Sequence, residues 1–215
     1  MSVHQTEALT LRTYPYSESH KIVVFLSRSH GKLRGIAYGA KKGSRNRFGG
    51  SLEPLTQVLL TFSRKENQEL AVVKECEIVQ AHPAYRLSFE ANLHFGYFAE
   101  LLQEVANEEE ESENLFRLAL AVLSQIDQKP ILLLARYFEL WILRLEGVLP
   151  SLEERLPGDL GVRAREMLSR HPGDLNPDAF ETGELKRLAR FAEVLLERHL
   201  EKRLKTRSVL EDLLG

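Results

Sequence analysis

Apolar positions alternate with polar ones over the first 80 residues and recur at steps of three and four thereafter. Alternation marks half-buried strands, and the longer step marks one face of a helix. Five strands are predicted, at residues 3–13 (Ala8, Leu9, Leu11), 22–26, 33–40 (Leu33, Ile36, Ala37, Tyr38), 55–62 (Leu55, Val58, Leu60, Phe62) and 70–79 (Val72, Val73, Ile78). The second is a β-branched run, Ile22-Val23-Val24, followed by Phe25 and Leu26. Turn-forming clusters separate them at 15–19, 30–31, 41–50 and 64–68. Five short strands in about 80 residues predict a small closed or partly open barrel. A one-sided sheet packed on helices is the alternative.

After His82-Pro83 the period changes. Leu87, Ala91, Phe95, Phe98, Leu102 and Val105 form one helical stripe, and Leu115, Leu118, Val122 and Ile126 another. The acidic run at 107–113 between them suits the start of the second helix, where the macrodipole favours carboxylates. Ile131–Leu145 is apolar on nearly every face. Pro130 suits its first turn and Gly147 the position past its end. Such a helix belongs at the centre of a helical domain. Residues 147–177 are irregular, with a short helix expected at 162–170. From Gly183, Leu185, Leu188, Phe191, Leu195 and His199 predict a long helix to Leu214 with a break near 206–208. The expected fold class is therefore α+β, with a barrel at 1–80 and a helical domain at 81–215.

Charge refines this division. The chain of 215 residues has a formal net charge of −2. Residues 1–80 carry +5, residues 81–197 carry −9 and residues 198–215 carry +2. From Ser19 to Leu52 there are eight cations, including Lys32, Arg34, Lys41, Lys42, Arg45 and Arg47, and no carboxylate. Such a block reads as a surface for a polyanion. Its Gly/Ser-rich end lets backbone and cations approach phosphates, but it lacks the Gly-Lys-Ser/Thr spacing of a nucleotide-binding loop. Phe48 is read as a core anchor for the returning chain, with base stacking as the alternative. A second cluster, Arg198, Lys202, Arg203, Lys205 and Arg207, would lie on two adjacent faces of one helix.

Little supports catalysis. The seven histidines are scattered, and neither His-Glu-x-x-His nor Cys-x-x-Cys occurs. His94 and His199 read as packing residues, and Asp174 with Asp178 make a weak metal pair. Cys76 is the single cysteine, so no intramolecular disulfide and no cysteine zinc site can form. The N-terminus lacks the features of a secretory signal, and no apolar run could span a membrane. A cytoplasmic protein without cofactor or metal is expected. Arg136 and Arg144 stand eight apart on the apolar helix. A buried Arg needs an acid, and Glu139 supplies one within the helix. An apolar groove with a cationic rim for a partner's acidic tail is the functional alternative.

Several blocks stand out along the chain: Leu11-Arg12-Thr13-Tyr14-Pro15-Tyr16-Ser17-Glu18-Ser19, the stretch Ser29-His30-Gly31-Lys32-Leu33-Arg34-Gly35-Ile36-Ala37-Tyr38-Gly39-Ala40-Lys41-Lys42, and Phe48-Gly49-Gly50-Ser51-Leu52-Glu53-Pro54-Leu55-Thr56. Ala135-Arg136-Tyr137-Phe138-Glu139-Leu140 followed by Gly147, and Lys202-Arg203-Leu204-Lys205-Thr206-Arg207, come after them. In this order the blocks resemble the RecO family of bacterial recombination mediators. The resemblance implies an N-terminal OB-fold and a helical domain. It implies binding of single- and double-stranded DNA, strand annealing, and no bond-making activity. The implied partners are RecR, often RecF, RecA, and the acidic C-terminal tail of single-stranded-DNA-binding protein (SSB). Nucleoid association follows from these. Arg136 would meet a tail carboxylate, and residues 32–47 and 202–207 would face DNA. One departure stands out: many members carry a four-cysteine zinc module after the central helix, and here residues 147–183 contain no cysteine.

Overall fold

The computed structural model describes residues 2–41, 48–65, 68–82, 88–108 and 110–214. Contacts group Met1–Ser88 with Phe95–Phe116, and Phe89–His94 with Arg117–Gly215.

In the first unit, five strands close into a barrel: β1 (Ser2–Pro15), β2 (Lys21–Ser27), β3 (Gly31–Ala37), β4 (Gln57–Arg64) and β5 (Ala71–Gln80). Their order around it is β1-β2-β3-β5-β4, with β3 and β5 parallel and the other neighbours antiparallel. This is the five-stranded OB arrangement. Alternation builds its core. Leu33 and Ala37 of β3 and Val58, Leu60 and Phe62 of β4 are buried with Val23 and Phe25. The intervening Lys32, Arg34 and Ile36 therefore point outward. Phe48 is 4% exposed and belongs to this core, which decides for the anchor over the stacking role. It precedes a 3₁₀ turn, Gly49–Leu52, held to β1 where Thr10 Oγ1 donates to the Ser51 carbonyl at 2.8 Å.

The β2–β3 turn meets the acidic run after helix α1 (Phe89–Val105). Gly31 has φ +60, and a Cβ there would land on the carbonyl oxygens of Asn107 and Glu110. Only glycine satisfies both the dihedral and the approach. Lys32 N–H donates to the Asn107 carbonyl at 2.8 Å, and Lys32 Nζ to that of Gln103 at 3.1 Å. Arg28 pairs with Glu7 and with Glu113, the first residue of α2 (Glu113–Leu123), and stands over the Phe116 ring. The acidic run thus grips the barrel turn as well as starting a helix.

In the second unit, α3 (Ile131–Leu145) buries eleven of its fifteen residues. Pro130 lies one position before its first turn, and Gly147 follows its end with φ +71. Residues 147–183 form α4 (Leu152–Arg155), α5 (Leu160–Met167) and two 3₁₀ turns. Three links tie this stretch down. Tyr137 Oη donates to the Arg170 carbonyl at 3.0 Å, Lys129 Nζ to that of Leu175 at 2.7 Å, and Arg163 pairs with Glu184. The stripe of α6 (Thr182–Leu200) is Leu185, Leu188, Ala189, Ala192 and Leu196, leaving Phe191 and Leu195 half-buried.

The basic C-terminal segment breaks as expected, but earlier than the 206–208 read from the sequence. Glu201 takes φ +54 and ends α6, four residues before α7 (Lys205–Leu214) begins. A left-handed residue terminates the helical hydrogen-bond ladder. Arg198, Lys202 and Lys205 therefore do not share one helical face.

Candidate nucleic-acid and tail-binding surfaces

Of the barrel cations, Arg34 stands exposed on β3 at the cross-strand position beside Val24. Lys41 is exposed, and its Nζ donates to the Ser17 carbonyl at 2.6 Å. Lys32 is half-buried on Gln103, and Arg28 is committed to carboxylates. Lys42, Arg45 and Arg47 lie outside the described residues. The barrel thus brings Arg34 and Lys41 to the surface, while its turn holds Lys32 back.

In the C-terminal cluster, Lys202 and Lys205 are exposed. Arg203 pairs with Glu211, with Glu197 at 3.3 Å and with Glu193 at 3.5 Å. Arg207 is only 11% exposed and lies 3.5 Å from Glu139, 3.7 Å from Glu193 and 3.4 Å from Glu211. It shares the inner stripe of α7 with Leu210 (three residues on), and Leu204 precedes it by three. That spacing was the available signal that Arg207 faces the protein.

Arg136 and Glu139 form a buried pair in α3, with Nη2 donating to Oε1 at 2.8 Å and Nε 2.8 Å from Oε2. Glu139 therefore lies between two arginines, Arg136 and Arg207. Arg144 takes another course. It is exposed, with its guanidinium 4.8 Å from the Trp141 ring centroid.

Arg136 and Arg207 open on a cleft of about 430 Å³ in the helical unit. Leu132, Leu185, Ala189 and Leu210 supply its apolar lining, and Lys186 and Arg190 of α6 add two exposed cations. Glu90, Glu193 and Glu211 also line it. His94, buried at 2% exposure, donates Nδ1–H to the Glu90 carbonyl at 2.9 Å. Burial lowers its pKa to about 4, and the charges of Arg136 and Arg207 add to the effect. The ring is thus neutral at pH 7. Burial and a hydrogen bond with Glu211 hold the Glu193 carboxyl above its ordinary range. Such a cleft can take an apolar segment that ends in carboxylates, provided these displace the internal acids. Sequence patterning had not joined His94, Lys186, Arg190 and Arg207 to Arg136.

Among the described residues no group of three or more His, Cys, Asp or Glu could hold a metal ion. His4 and His30 do meet, with ring centroids 5.4 Å apart, but both pack on Phe62. No helix among these residues is long and apolar enough to cross a membrane.

Two family models match the chain: recombination protein O N terminal over residues 1–82, and recombination protein O C terminal over residues 86–156. A DNA repair protein RecO from Koribacter versatilis is 33% identical, covering 97% of this chain and 98% of its own length. One from Syntrophus aciditrophicus is 37% identical over 71% of this chain and 59% of its own. A third, from Geobacter metallireducens, is 31% identical over 83% of this chain and 78% of its own. With the OB barrel, the helical unit and these matches together, the chain belongs to the recombination protein O family.

Proposed function

We propose that this protein is a non-enzymatic mediator of DNA repair by recombination. It binds single- and double-stranded DNA, anneals complementary strands, and with RecR helps load RecA onto SSB-coated DNA, with RecF as a further partner. The observation that carries this reading is the acid-free segment from Ser19 to Leu52, which presents Arg34 and Lys41 on the barrel. Lys32, Lys42, Arg45, Arg47 and the cluster Lys202, Arg203, Lys205 and Arg207 complete the proposed DNA contacts. Arg203 and Arg207 would first have to leave their carboxylates. Cations displace counterions from phosphates without reading sequence. Two strands held on one basic surface meet at raised local concentration, which favours annealing.

The helical cleft supports the second half of the reading. An SSB tail, apolar and acidic, would lay its side chains against Leu132, Leu185 and Leu210 and its carboxylates against Arg136 and the cationic rim. A simpler adaptor that docks acidic tails without binding DNA is favoured by the same cleft alone. A gel shift with random single-stranded DNA separates the two, since the adaptor leaves the DNA unshifted.

Arg136→Ala is a poor probe of the tail site, because it leaves Glu139 buried beside fewer cations, at a cost of about 3–5 kcal/mol. Lys186→Ser with Arg190→Ser removes two exposed rim charges instead. Annealing by this variant is expected to stay normal on bare DNA and to fall on SSB-coated DNA. Equal annealing on both templates would refute tail docking.

A further inference from the structure

Building on the DNA reading, we propose that the outer face of β1-β2-β3 is a base-stacking platform that makes the barrel prefer unpaired strands to duplex. Strand register places the residues. Tyr14 is opposite Ile22, which is opposite Ile36. One row further, Tyr16 N–H donates to the His20 carbonyl at 3.1 Å, and the His20 ring meets the Tyr38 ring edge-on at 4.8 Å. On the other side, Arg12 is opposite Val24, which is opposite Arg34. Residues two apart on a strand share a face, so the three rows lie on one side of the sheet.

This face is polyanion-facing and aromatic together. Tyr14, Tyr16 and Tyr38 are 36%, 54% and 45% exposed. Ile22 and Ile36 form a half-buried apolar floor between them, and Arg12 and Arg34 are exposed at one end. The Arg12 guanidinium stands 5.2 Å from the Tyr14 ring centroid. Glu18, in the β1–β2 turn, is the only carboxylate between Ala8 and Leu52. Successive rows are two strand residues apart, about 6.6 Å. That is close to twice the ~3.4 Å rise per base, so one base plane fits between rings of neighbouring rows.

The chemistry selects the strand. Bases in a duplex are stacked and paired, so a duplex offers this face phosphates alone and meets only the arginines. An unpaired strand offers phosphates and π-faces, and each stacked base adds affinity without sequence preference. The tyrosines are uncharged, so they raise affinity for single strands without changing the number of counterions released.

The test uses the full chain, fluorescein-labelled oligo-dT and a labelled duplex in anisotropy titrations. Tyr16→Ala and Tyr38→Ala are each expected to weaken oligo-dT binding about fivefold or more. Duplex affinity and the salt slope stay as in the wild type. Tyr→Phe at both positions keeps the ring and keeps the affinity. An oligonucleotide carrying 2-aminopurine is expected to be quenched by the wild type and less so by the alanine variants. Circular dichroism and a thermal melt establish that the variants fold. Equal weakening toward oligo-dT and duplex overturns the platform. Unchanged oligo-dT affinity also overturns it and leaves this face to a protein partner. If Arg34→Ala with Lys41→Ala loses both DNAs while the tyrosine variants lose neither, DNA binding stands and the platform falls. If the wild type binds neither DNA, both readings fall.

Discussion

Neutral His94 couples the cleft to pH. Its folded pKa, about 4, lies below the ordinary value of 6.5, so the unfolded chain binds the extra proton. Stability from this residue is complete above pH 6.5 and is lost as pH falls toward 4. The expected loss is up to about 3 kcal/mol, at about 1.4 kcal/mol per pKa unit. Urea melts across that window are expected to show the drop, and His94→Asn to flatten it; parallel curves would assign the loss elsewhere. Cys76 is shifted the opposite way. Burial pushes its thiol up to about 11, so thiolate is scarce at pH 8. A thiol probe is expected to label the native protein at least about tenfold more slowly than the urea-unfolded one.

At the scale of elements, α7 places a carboxylate in the cleft proposed for an acidic tail. Glu211 lines that cleft, holds Arg203 and lies 3.4 Å from Arg207. These pairs are partly exposed and each is worth no more than about 1 kcal/mol. Glu211→Gln is therefore expected to tighten binding of a short acidic peptide by roughly fivefold or less. Weaker binding in calorimetry would mean that Glu211 orders the site rather than competes for it. The β2–β3 turn gives a second element-scale outcome. Gly31→Ala meets two carbonyls and a disfavoured φ, and is expected to destabilise the chain by at least about 1 kcal/mol. An unchanged melting temperature would show that the acidic run yields.

For the whole molecule, net charge is an average over opposed parts: a basic barrel, an acidic helical body and a basic end. Electrostatic binding by the first should weaken steeply with salt. For single strands the slope is about −0.7 per phosphate neutralised. Changing Lys41, Lys42, Arg45 and Arg47 to Ala is expected to make the slope shallower by up to about 3. An unaltered slope would remove this segment from the interface.

The strands and α3 were legible from the chain because side-chain period is a local property. Alternation marked Val58, Leu60 and Phe62 as one face, which the barrel turns inward, and an apolar run bounded by Pro130 and Gly147 marked the central helix. The family blocks were legible in the same way, as ordered residues. The helix end at Glu201 was not, since a left-handed φ at a glutamate leaves no mark in composition. The Arg136–Glu139 pair was legible from its i, i+3 spacing, but the remote acids that hold Arg28 and Arg207 were not. Folding gives Arg28 to Glu7 and Glu113, and sets Arg136 and Arg207 against Glu139. By itself the sequence determined which segments form strands or helices and where charge of each sign is carried. Tertiary structure decided which charges stay exposed, because Glu7 and Glu113 on Arg28, and Glu139 and Glu193 on Arg207, come from remote positions that only packing brings together.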